Sequence, residues 1–211
     1  MITPTTIMVV GPTGSGKTEV VMKMLTRDGD FFDTPVSRVR YHYGAWQEKF
    51  ERIAGSDERY TFIEGLPSEE DLPSDGEHTV MVIDDLMEAA SKSKTAADIF
   101  TKHSHHKNIT VIIILQKLYG NSHIYRVITG NAHVLVLFKN PRNASEIRRL
   151  APQMFPSDPE FPVSAYTEAT KRPFSYLVVN AHQQTPDRLR VTGNLFTDET
   201  PELYMPIRGQ M

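Results

Sequence analysis

The sequence predicts an α/β chain built on a mostly parallel sheet, on three observations. Short apolar, β-branched runs recur along the 211 residues, and segments of helical character separate most of them. A complete phosphate-loop pattern stands between the first run and the first helix. The strand-like runs are Thr6–Val10, Val39–Tyr43, Tyr60–Ile63, Val80–Ile83, Ile109–Leu115, His133–Phe138 and Ser175–Asn180. The helical segments are Lys17–Thr26, Ala45–Ile53, Leu86–Lys102 and Ser145–Leu150. Val80–Ile83, Val111–Leu115 and Val134–Phe138 are apolar on both alternating faces, as central strands covered by helices on each side must be. Asn143 followed by Glu146 reads as a capping box opening the last of these helices. The Pro-containing segments Leu66–Pro73 and Pro152–Pro162 read as surface loops. The expected organisation is a core over residues 1–184, with residues 185–211 forming a peripheral strand and C-terminal tail of the same domain.

Composition narrows the chemistry. The chain has no cysteine, which excludes thiolate zinc sites, iron–sulfur clusters and disulfides. No apolar run approaches the roughly 20 residues of a membrane span, so no membrane partner is expected. The start, MITPTTIMVVGP, lacks the basic n-region of a signal peptide. A net charge of −3 offers no bulk attraction to nucleic acid, so any DNA contact must come from a local patch or from loops summed over an oligomer.

The strongest local signal is GPTGSGKT, Gly11 to Thr18, a full match to G-x-x-x-x-G-K-[ST]. Its glycines let successive backbone N–H groups turn inward around phosphate oxygens, and the following helix adds its positive end. The expected cradle is Gly11, Pro12, Thr13, Gly14, Ser15, Gly16, Lys17, Thr18 and Glu19. Lys17 should reach the β- and γ-phosphates of ATP, and the Thr18 hydroxyl should ligate Mg²⁺. In TVMVIDDLM, Thr79 to Met87, an apolar strand ends in two carboxylates. Asp84 is then the second holder of Mg²⁺, and Asp85 the group that orients or deprotonates an attacking water. The competing reading makes either aspartate a simple helix cap.

NITVIIILQKLYG, Asn108 to Gly120, ends a buried strand on a large amide. An unpaired buried amide costs about 1–3 kcal/mol, so Gln116 needs a partner. Ligands of parallel sheets bind outside the carboxyl ends of the strands, which makes Gln116 a sensor between the attacking water and the γ-phosphate. The alternative is an amide paired with loop backbone.

GPTGSGKT, VRYHYGAWQEKF, FIEGLP, VMVIDDLM, SHHKNITVIIILQKLYG, NAHVLVLFKNPRNASEI and TPDRLRVTGNLFTDE occur in this order, between Ile7 and Glu199. Together they resemble the genome-packaging ATPases of Polinton (Maverick) elements and related double-stranded DNA viruses, akin to the poxvirus packaging ATPase and within the FtsK–HerA superfamily. The resemblance implies a RecA-like three-layer core and a homo-oligomeric ring of five or six subunits. It also implies ATP-driven translocation of double-stranded DNA into a preformed capsid, with a capsid or portal-vertex protein as partner. The implied location is intracellular, at viral assembly sites. Lys17, Thr18, Asp84, Asp85 and Gln116 fall on positions matching the family pattern.

An arginine finger, the cation a neighbouring subunit presents to the γ-phosphate, has no single address. Similar proteins often carry an arginine just before the Gln strand. Here that stretch reads FTKHSHHKN, with only Lys102 and Lys107, and lysine lacks the planar fork of arginine. Arg126 is favoured and Arg142 is the alternative. His103, His105 and His106 lack a nearby carboxylate and are a weak zinc signal, while with the two lysines they form a candidate DNA contact. Tyr43 and Trp46 are either adenine-stacking groups or the apolar face of a core helix. Arg188 and Arg190 read as an edge-strand face. Two other functions compete with the motor: a nucleotide-dependent assembly switch or scaffold, and a small-molecule nucleotide kinase, which usually carries an Arg-rich lid.

Overall fold

A computed structural model of the chain describes residues 1–99, 102, 104–193 and 202–206, with the side chains of Lys49, Ala97 and His105 excepted. The remainder of the expected C-terminal tail lies outside the described residues. The strands are β1 (Thr6–Val10), β2 (Arg38–Tyr43), β3 (Tyr60–Glu64), β4 (Thr79–Asp84), β5 (Ile109–Leu115), β6 (Val134–Phe138), β7 (Tyr176–Asn180), β8 (Val191–Gly193) and β9 (Glu202–Leu203). The helices are α1 (Lys17–Thr26), α2 (Asp28–Phe31), α3 (Glu48–Ala54), α4 (Met87–Ala90), α5 (Lys94–Asp98), α6 (Ser104–His106), α7 (His123–Gly130), α8 (Ala144–Met154) and α9 (Glu160–Ala169).

The strands form one sheet in the order β3-β2-β4-β5-β1-β6-β7-β8-β9. The first six pair in parallel, and β7, β8 and β9 continue the sheet antiparallel. Alternation sorts the side chains of the central strands into two cores. Ile7, Val9, Val80, Val82, Ile112 and Ile114 face α1 and Phe50 of α3. Met8, Val10, Met81, Ile83, Val111 and Ile113 face α4, α5, α7, α8 and α9 on the other side. Each such side chain, when fully buried, contributes about 1.5–3 kcal/mol. The result is a three-layer α/β/α sandwich.

This topology places a crevice. The helix after β1 packs on one face of the sheet and α7, which follows β5, packs on the other, although β1 and β5 are neighbours. Chains that leave adjacent strands in opposite directions open a cleft at the strands' carboxyl ends. Register brings those ends level: Val10 lies beside Leu115, and Asp84 beside Ile114.

Four local expectations are corrected. The helix expected over Leu86–Lys102 is broken, because the Ser93 hydroxyl accepts the Ala96 N–H (3.2 Å) and starts a new helix there. The Ala45–Ile53 helix begins only at Glu48, leaving Trp46 in the preceding loop. The capping box at Asn143 does not form, since the Glu146 carboxylate turns to the Leu118 N–H (3.1 Å) and the Tyr119 N–H (3.5 Å). Of the Pro152–Pro162 loop only residues 155–159 are non-helical, the ends belonging to α8 and α9. Pro162 sits in the first turn of α9, where a missing N–H has no intrahelical partner to lose. Helix α7 was not expected either, and is capped by the Ser122 hydroxyl accepting the Tyr125 N–H (3.0 Å).

Candidate functional site

The loop from Gly11 to Gly16 leaves the end of β1 and turns straight into α1. The Gly11 N–H donates to the Leu115 carbonyl (3.0 Å), so the base of the loop is tied to β5. A Cβ at position 11 would stand 2.6 Å from that of Phe138 and 2.8 Å from the Ser15 hydroxyl, which leaves room only for glycine. Gly16 has φ +98, a left-handed conformation that glycine adopts without penalty, and its carbonyl accepts the Val20 N–H at 3.0 Å. Lys17 and Thr18 therefore occupy the first helical turn, with Glu19 exposed beside them. The Lys17 ammonium donates to the carbonyls of Gly11 and Pro12, each at 2.8 Å. Burial lowers the Lys17 pKa, and the neighbouring carboxylates of Asp84 and Asp85 oppose that shift.

The two aspartates have different surroundings. Asp84 is buried at the end of β4 and accepts the Tyr41 hydroxyl at 2.7 Å. Burial, Asp84 and Glu19 push the Tyr41 phenol far above its ordinary pKa, which keeps it a donor. Asp85 is exposed and has φ +57, so the chain turns sharply between the two residues. Aspartate is among the side chains that tolerate this region. The Asp85 Oδ1 accepts the Gln116 side-chain amide at 3.2 Å. The expected buried amide is thus exposed at the strand end, paired with the second aspartate rather than with loop backbone. Behind Gln116 the chain is held by Glu146 and by the Tyr125 hydroxyl, which donates to the Lys117 carbonyl.

Thr13, Gly14, Lys17, Thr18, Gln47, Asp84, Asp85 and Gln116 line one cavity of about 270 Å³. Thr18 and Asp84 present a hydroxyl and a carboxylate to it, hard oxygen donors of the kind Mg²⁺ prefers, so the donor set fits that ion. Arg126 is exposed on α7 and Arg142 is exposed in the turn after β6. Neither is among the described residues that line this cavity. Lys102 pairs with Asp98 at 3.0 Å, and His103 lies outside the described residues. Arg190 bonds Asp187 (2.8 Å) and the carbonyls of Asn180 and His182. Tyr43 and Trp46 pack with Phe50 and Phe62 beyond β4.

Tyr41 and Gln47 carry no signal in the sequence reading, and Glu146 is read there as a helix cap rather than as the brace of the loop after Gln116. Alternation within Val39–Tyr43 turns Tyr41 toward one face, but its partner lies 43 residues away and local pattern does not reveal it. Replacing Tyr41 with phenylalanine should destabilise the fold by about 1.5–3 kcal/mol, the worth of a hydrogen bond to a charged group. Urea denaturation of the two proteins measures that difference.

The sheet order, the two covering layers and the loop define a P-loop NTPase fold, a RecA-like three-layer sandwich with a mostly parallel sheet. No family model and no curated protein matches the chain. Solved structures do. B204, the DNA-packaging ATPase from Sulfolobus turreted icosahedral virus, is 12% identical with a TM-score of 0.56, over 99% of this chain and 100% of that one. The genome packaging NTPase B204 from Sulfolobus turreted icosahedral virus 2, in complex with AMPPCP, is 14% identical with a TM-score of 0.55, over 96% and 97%. EssC (ATPases 2 and 3) from Geobacillus thermodenitrificans is 12% identical with a TM-score of 0.53, covering 99% of this chain but 41% of that one. At these identities the likeness is one of fold.

Proposed function

We propose that the chain is an ATP-hydrolysing motor that moves double-stranded DNA into a viral capsid, acting as a homo-oligomeric ring of five or six subunits at a capsid or portal vertex. The observation that carries the hydrolytic part is the Gln116–Asp85 hydrogen bond at the mouth of the cavity that also holds Lys17 and Asp84. The fold shared with B204 over nearly the whole of both chains supports the packaging part. Membership among the Polinton-type packaging ATPases rests on the ordered sequence motifs, as does an intracellular site of action.

In this reading the backbone of Gly11 to Glu19 cradles the phosphates, with Lys17 neutralising charge on the β- and γ-oxygens. Thr18 and Asp84 would hold Mg²⁺, which supplies further neutralisation of the phosphate oxygens. Gln116 orients a water against the γ-phosphorus, and Asp85 takes its proton as the water oxygen bonds to phosphorus. The bond to the β–γ bridging oxygen breaks, leaving ADP and inorganic phosphate. Arg126, or Arg142 in its place, would reach a neighbouring subunit's γ-phosphate.

The test is ATPase activity and particle size, measured with and without duplex DNA and a nonhydrolysable analogue. The motor predicts an oligomer whose hydrolysis rises with duplex DNA. Absence of turnover under every DNA and assembly condition overturns it in favour of a nucleotide switch. A monomer that passes phosphate to a nucleoside monophosphate is a kinase.

A further inference from the structure

A second cavity, of about 290 Å³, lies across the phosphate loop from the first. The two share Thr13 and Gly14 at the crest of the loop and no other lining residue. The first opens on the β4 and β5 side, with the carboxylates and Gln116. The second opens on the β6 and β7 side, between Phe138, Lys139 and the turn Arg172–Ser175. A triphosphate whose terminal group meets Lys17, Asp85 and Gln116 sends its nucleoside away from the carboxylates, toward this second cavity.

The turn that forms the far wall is unusual. The Ser175 N–H donates to the Arg172 carbonyl at 3.3 Å, and the Ser175 hydroxyl donates to the same atom at 2.7 Å. Pro173 occupies the second position, as such turns favour. Phe174 occupies the third with φ +63, a conformation that turns ordinarily give to glycine. An aromatic residue there costs about 1–3 kcal/mol of strain. Core packing does not recover that cost, because Phe174 is 69% exposed. Its ring reaches back over the loop instead, with Cδ1 3.5 Å from where a Cβ on Gly16 would stand.

We propose that Phe174 is the stacking platform for the base of the bound nucleoside triphosphate, and that the platform takes adenine and guanine alike. The inference rests on the nucleotide-binding reading above. Stacking uses the π-face that every base presents and grows with its area, so purines outbind pyrimidines. Guanine is set apart from adenine by its N1–H and 2-amino group, a pair of donors that a side-chain carboxylate or amide oxygen reads. Among the described residues, the lining of this cavity carries no carboxylate and no side-chain amide. Trp46, the other exposed Phe, Tyr or Trp among the described residues, precedes Gln47 of the first cavity's lining and already makes edge contacts with Tyr43 and Phe50 at 5.4 and 5.6 Å. It faces the wrong end of the ligand.

The test compares binding of ATP, GTP and inorganic tripolyphosphate by wild type, Phe174→Ala, Phe174→Leu, Phe174→Tyr, Trp46→Ala and Lys17→Ala proteins. Phe174→Ala and Phe174→Leu should weaken ATP and GTP about fivefold to 150-fold, the equivalent of the roughly 1–3 kcal/mol of one base–aromatic stack. Tripolyphosphate binding should not change. Phe174→Tyr should restore both nucleotides, and wild type should bind ATP and GTP within a few-fold of each other. Unchanged ATP affinity in Phe174→Ala, or a loss confined to Trp46→Ala, overturns the platform while the nucleotide reading stands. A large preference between the purines overturns the claim of indifference. Failure of wild type to bind either nucleotide or tripolyphosphate, as expected only of Lys17→Ala, overturns both readings together.

Discussion

Replacing Lys17 with alanine should lower ATP hydrolysis by at least about 10²–10³-fold, the usual cost of one preorganised donor to developing negative charge. The expectation rests on how firmly the ammonium is held. It is half-buried, bonded to two loop carbonyls, and faced by Asp84 and Asp85. The energy of desolvating it is spent in folding rather than during the reaction. Alanine also leaves the carbonyls of Gly11 and Pro12 without that donor, so the loop itself should loosen and nucleotide affinity should fall along with the rate. Steady-state ATPase assays and equilibrium nucleotide binding, on proteins with matched thermal melts, separate the two losses. A variant that hydrolyses ATP at the wild-type rate would remove the phosphate loop from the mechanism.

Asp85→Asn should cost about 10²–10⁴-fold in hydrolysis, the range spanned by loss of a general base, with nucleotide affinity near the wild-type value. The asymmetry follows from position. Asp84 is buried and bonded to Tyr41, whereas Asp85 is exposed at the cavity mouth and bonded to Gln116. Because Asp85 and Gln116 touch, their effects should not add. A double variant Asp85→Asn/Gln116→Ala should be little slower than the worse single variant. Single-turnover hydrolysis of prebound ATP reads this directly. Full additivity would mean that the hydrogen bond between them has no part in aligning the water.

The residues around this site differ in how legible they are from the chain alone. GPTGSGKT, the Asp84–Asp85 pair and Gln116 each stand at the end of an apolar run, where strand period and a sudden polar residue announce a sheet edge. The central strands were legible because they are apolar on both faces, a pattern only a doubly covered sheet requires. Tyr41 was not, because its purpose is a bond to Asp84 from the adjoining strand, and β-propensity alone explains a tyrosine there. Glu146 misled because the same carboxylate can satisfy either its own helix start or a distant loop, and the loop after Gln116 won. Helix α9 was hidden by Pro162, since proline is disfavoured in helix interiors but tolerated in first turns, and the end of α8 by Pro152, which that helix holds in its last turn. Phe174 carried no sequence signal, since its interest lies in a backbone angle.

The position of β1 between β5 and β6 has a consequence for how the protein is born. Both neighbours of the strand that presents GPTGSGKT come about a hundred residues or more after it in the chain, with Thr6 beside Val111 and Ile7 beside Val134. At about 5–20 residues per second that is a wait of several seconds or more. During it β1 lacks both of the strands that flank it in the sheet. The cavity lined by Lys17, Asp84 and Gln116 therefore closes only after β5 has been made. The site is completed by strands made well after the loop it is built around.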